Sequence, residues 1–77
     1  MVSEEEIKEK IEREMKSYQD HSTFHTFLIE AHPYVISHLV GSNHENLNRL
    51  EQEIGKKIMV KGNPVFHFHQ YEMKFLS

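Results

Sequence analysis

The sequence predicts an α+β domain with the element order α-β-α-α-β-β, three helices packed mainly on one face of a three-stranded sheet. Three observations predict it. Ile7, Ile11, Met15 and Tyr18 recur at helical spacing among Glu and Lys. Residues 24–30 concentrate Phe, Thr, Leu and Ile as a buried strand does. Residues 39–60 place two short apolar helices around Gly41 and stop at Gly55 before a strand.

Taken in order, Ser3 and Glu6 form a capping box that starts an amphipathic helix over residues 4–18. Asp20, His21 and Ser22 end it, and the strand at 24–30 follows. Pro33 suits the first turn of a helix, where its missing N–H costs nothing. Val35, Ile36, Leu39 and Val40 give that helix one apolar face, and Gly41 ends it. Ser42 and Glu45 repeat the capping-box spacing, which starts the next helix inside the loop. Leu47, Leu50 and Ile54 share a face of that helix, and Gly55 suits a residue of positive φ at its end. Ile58 and Val60 point one way on the next strand; Lys57, Met59 and Lys61 point the other. Gly62, Asn63 and Pro64 read as a turn. Residues 65–75 read as a last strand, with a one-residue bulge near His69 and Gln70 that brings Phe66 and Phe68 to the same side as Tyr71, Met73 and Phe75.

With 77 residues the chain forms one domain, 1–77, comprising an N-terminal amphipathic helix at 1–20 and a β-α-α-β-β core at 22–76. A domain of this size buries only about 60% of its unfolded surface, so every helix has to contribute to the core. Placing the first helix over the same sheet face gives Ile7, Ile11, Met15 and Tyr18 somewhere to bury. There is no cysteine, which excludes disulfides and thiolate metal sites and fits a cytoplasmic setting. The acidic start does not fit a secretory signal, and no apolar run reaches the roughly 20 residues of a membrane span. Residues 1–20 carry seven acidic and four basic side chains, whereas residues 21–77 balance at five of each. The excess acid therefore lies in the first segment, and the local basic cluster is Lys56, Lys57 and Lys61.

The helix–Gly41–helix–Gly55–strand pattern resembles a KH-type nucleic-acid-binding module. Common KH domains run β-α-α-β-β-α or α-β-β-α-α-β; here the third helix precedes a β-α-α-β-β unit. The loop reads Gly41-Ser42-Asn43-His44 where a KH loop reads Gly-x-x-Gly. The wider pattern includes Ala31-His32-Pro33-Tyr34-Val35 before the loop and Val60-Lys61-Gly62-Asn63-Pro64 after it. It is similar to the C-terminal region of bacterial ribonuclease E/G family proteins over roughly residues 20–73. That family's nuclease uses metal-binding carboxylates on a separate domain and a cysteine pair for zinc, none of which this chain has. The resemblance therefore implies a detached or accessory RNA-binding domain acting in RNA metabolism without catalysis of its own.

The expected contact residues for single-stranded RNA are Gly41, Ser42, Asn43, His44, Asn46, Arg49, Lys56, Lys57 and Lys61. Glycine lets a backbone approach phosphate closely, and a helix N-terminus adds free N–H groups and positive dipole. For the lysines the competing reading is a solvated strand edge that discourages aggregation. Phe24, Phe27, Phe66, Phe68, Tyr71 and Phe75 offer rings for base stacking, or equally a core. Among seven histidines, His67 and His69 share a face of the last strand as read, but the others are scattered, and no metal or other cofactor is expected. No catalytic arrangement stands out. The alternative function is a protein-interaction module, as a homodimer or with another protein, on a KH-like scaffold that has lost RNA binding.

Overall fold

The computed structural model describes residues 3–21 and 23–77. The order is α1 (Glu4–Ser17), β1 (Thr26–Ala31), α2 (Pro33–Val40), a short 3-10 turn (Ser42–His44), α3 (Glu45–Ile54), β2 (Lys57–Gly62) and β3 (Tyr71–Leu76). This is the expected α-β-α-α-β-β arrangement. The Ser3 hydroxyl accepts the Glu6 N–H at 3.3 Å, so the first helix starts where its capping box places it.

The sheet order is β2-β1-β3, with β1 parallel to β2 and antiparallel to β3. Register decides which side chains share a face. Phe27 pairs with Ile58 and Phe75, Ile29 with Val60 and Met73, and Ala31 with Gly62 and Tyr71. This is the helix-covered face, where Phe27, Ile29 and Ala31 are wholly buried. The other face carries Thr26, Leu28 and Glu30 beside Lys57, Met59 and Lys61 on one flank and Leu76, Lys74 and Glu72 on the other.

The three helices divide the covered face. Ile7, Ile11 and Met15 of α1 are buried. The same helix reaches β3 through the Tyr71 hydroxyl, which donates to Glu14 at 2.7 Å, and through Tyr18, whose ring lies 5.0 Å from that of Phe75. Val35 and Leu39 of α2 fill the middle, with Leu47, Leu50 and Ile54 of α3 beside them. The N-terminal helix is thus part of the core. Each buried aliphatic side chain contributes about 1.5–3 kcal/mol.

The last strand is shorter than residues 65–75. Pairing with β1 begins only at Tyr71, and residues 63–70 form successive turns closed by Phe66 N–H to Asn63 O and Gln70 N–H to His67 O. The Asn63 side chain drives this. It donates to Glu30 at 2.9 Å and accepts the Val65 N–H at 3.0 Å, so the chain folds back rather than extending. No bulge is needed, because Phe66 and Phe68 never enter the sheet. His67 and His69 accordingly lie on a loop, with parallel rings 6.0 Å apart.

Candidate nucleic-acid interface

The junction between α2 and α3 is built on Gly41. At φ 77° and ψ 177° it occupies a region that is essentially glycine-only. A Cβ there would also stand 2.9 Å from the Asn46 Cβ. The Gly41 N–H closes α2 by donating to Ser37 O at 3.0 Å. Asn43 (φ 54°) and His44 (φ 62°) are both left-handed, and His44 serves as the N-cap of α3 without a side-chain bond. The capping box expected at Ser42 and Glu45 does not form. The short turn of Ser42–His44 comes between, so Ser42 lies too early to cap α3.

Ser42, Asn43, His44 and Glu45 are exposed. The His44 N–H donates to Gly41 O and the Glu45 N–H to Ser42 O. Among the described residues, the N–H groups of Ser42 and Asn43 meet no acceptor outside their own short turn. A shallow cleft of about 350 Å³ lies beside them, lined by Gly41, Ser42, Glu45, Asn46 and Arg49.

Asn46 holds this shape. Its amide donates to Leu39 O at 2.7 Å and to Glu12 at 2.9 Å, while its oxygen accepts from Arg49. It therefore ties α1, α2 and α3 together, and its side-chain amide is not free for a ligand. Arg49 stays exposed at the cleft. The nearby charges alternate. Lys8 lies 2.9 Å from Glu5 and 3.9 Å from Glu12, and His38 lies 3.5 Å from Glu5. The hydrogen bond with Glu5 raises the Lys8 pKa above its ordinary value, and the same bond lowers that of Glu5.

The lysines divide between two places. Lys56 donates to the carbonyls of His21 and Phe24 and lies 4.6 Å from the Phe24 ring centre. It fastens the end of α3 to the segment before β1, a structural use the sequence did not reveal. Lys57 and Lys61 stand on the uncovered sheet face with Lys74, which the sequence reading passed over. Their alternation along the strands was the signal that would have grouped them. Of the aromatic candidates, Phe24 and Phe27 are buried, Phe75 packs on both, and Tyr71 is bound to Glu14. Phe68 is exposed, beside Tyr34, a residue the apolar face of α2 did not need. Among the described residues no three His, Asp or Glu side chains converge as a metal site, and no helix is long and apolar enough to cross a membrane.

No protein-family model matches the chain, and no curated protein sequence matches it.

Proposed function

We propose that this chain is a KH-like accessory module that holds the backbone of single-stranded RNA at residues 41–44 and the start of α3, with no catalysis of its own. Cytoplasmic RNA metabolism, as in the ribonuclease E/G family it resembles, is the proposed setting. The observation that carries the reading is the exposed junction, where among the described residues the Ser42 and Asn43 N–H groups meet no acceptor outside their own turn, beside a cleft bearing Arg49. Backbone donors at a helix start suit phosphate, and Gly41 supplies the positive-φ turn that sets them at the junction. Within this proposal, Asn46 positions Arg49 and the loop, Lys56 contributes stability, and contact passes through Gly41, Ser42, Asn43, His44 and Arg49.

The test is a titration of single-stranded RNA at low salt, following backbone amide shifts. Movement of residues 41–47 is the expected result, and unchanged amides there would rule the reading out. His44→Gly removes a side chain from a left-handed position. It is expected to strengthen binding by opening the loop backbone to phosphate.

One observation favours the second reading, a protein-interaction module. The uncovered sheet face exposes Met59 (45%) and Leu76 (40%) with half-buried Leu28 between their strands. Sedimentation over a range of concentrations separates the two: a stable dimer without RNA affinity supports this reading.

A further inference from the structure

The backbone grip leaves one cluster unused. Tyr34, in the first turn of α2, is 60% exposed, and Phe68, in the loop after β2, is 43% exposed. Their rings are nearly parallel, 14° apart in plane, with centres separated by 5.8 Å. The His32 ring stands 5.0 Å from that of Tyr34 and 4.5 Å from that of Phe68. Neither Tyr34 nor Phe68 belongs to the buried core, so core packing does not account for the pairing. His32 is fixed from below. Its Nδ1 accepts the Tyr34 N–H at 3.2 Å, which leaves the ring proton on Nε2 as a donor.

The cluster is joined to the junction by one helix face. Tyr34, Ser37, His38 and Gly41 follow the three- and four-residue spacing of a single stripe along α2, and the first three are exposed. Seven residues of helix rise about 10 Å, a distance an extended strand crosses in a few nucleotides. Two partly exposed aromatic rings beside a polar donor suit a nucleobase, whose π-face every base possesses. A patch of two rings is smaller than the several hundred Å² expected of a protein-docking surface.

We propose that Tyr34 and Phe68, backed by His32, form a stacking platform for an unpaired nucleobase of the strand whose backbone lies at residues 41–44. This inference rests on the nucleic-acid reading, and its test separates the two. The full chain is titrated with adenosine, with an oligoadenylate, and with an abasic ribose-phosphate strand of equal length, following ring and amide resonances. The oligoadenylate is expected to move the Tyr34 and Phe68 ring signals upfield and to bind about tenfold more tightly than the abasic strand. Tyr34→Ala or Phe68→Ala removes that advantage and Tyr34→Phe keeps it; both side chains are exposed, so the variants are expected to fold. Adenosine alone moves the same rings and leaves residues 41–47 in place.

Equal binding of the two strands, with shifts at residues 41–47 and none at the rings, overturns the platform and leaves the backbone grip standing. Ring shifts with adenosine, while no strand perturbs residues 41–47, overturn the grip and with it the proposal that the rings serve a strand held there. Silent rings with every probe overturn the platform. Ring shifts that follow protein concentration alone also overturn it and identify the patch as a contact between copies.

Discussion

At the residue scale, backbone torsion and hydrogen bonding separate what is structural from what is available to a ligand. Gly41→Ala would place a methyl group 2.9 Å from the Asn46 Cβ at torsions only glycine adopts readily. We expect it to destabilise the fold by about 1–3 kcal/mol, read by chemical denaturation. Asn46→Ala removes the donor to Leu39 O and Glu12 together, and the expected loss is about 1–3 kcal/mol. Tyr71 carries a pH signature. Burial, then its hydrogen bond to Glu14 and that carboxylate's charge, push its pKa up to about 12 from 10.0. The folded state therefore holds the phenol proton more tightly than the unfolded chain. The resulting stability is fully present below about pH 10 and is lost as pH rises through about 12. Tyr71→Phe should lower stability at neutral pH and flatten the decline in that window, as measured by denaturation at a series of pH values. Gly41 was legible in the sequence as a helix stop. The bonds of Asn46 to Glu12 and of Lys56 to His21 and Phe24 were not, because those partners lie 32 to 35 positions away.

At the scale of elements, the legible parts were those governed by local signals. Ser3 caps the first helix, Pro33 and Gly41 bound the second, and Gly55 closes the third at φ 77°. The misread parts turned on competition between local signals. Ser42 and Glu45 match a capping box, yet the two left-handed residues between them shift the cap to His44. Residues 65–70 carry strand-like aromatics, yet the Asn63 bonds hold the preceding chain in a turn. The first helix was read correctly as core because its apolar stripe had no other place to bury. Removing residues 1–20 withdraws Ile7, Ile11 and Met15 from the interior. At about 1.5–3 kcal/mol each, that loss compares with a total stability of roughly 4–12 kcal/mol for a chain this long. The truncated chain is expected to lose cooperative thermal unfolding; an unchanged transition would mean that α1 is dispensable.

At the scale of the whole molecule, charge is distributed unlike that of a binder dominated by phosphate attraction. The net charge is −3, the acidic excess lies within residues 1–20, and the cleft at the junction is lined by one fixed positive charge, Arg49, and one negative, Glu45. The exposed strand lysines form a second positive region on the opposite side of the sheet from the helices, shared with Glu30 and Glu72. The sequence groups Lys57 and Lys61 with Lys56 as the local basic cluster beside the expected groove, whereas strand alternation turns them to the uncovered face. This separation makes salt dependence diagnostic. A strand held mainly by neutral N–H groups with one or two fixed charges should give a slope of log affinity against log salt of about −0.7 to −1.4. A strand lying across Lys57, Lys61 and Lys74 should give a slope of about −2. We expect the shallower value, unchanged when those three lysines are replaced by glutamine and reduced in Arg49→Gln. A steep slope abolished by the lysine substitutions would instead move the binding surface from the helical junction to the bare face of the sheet.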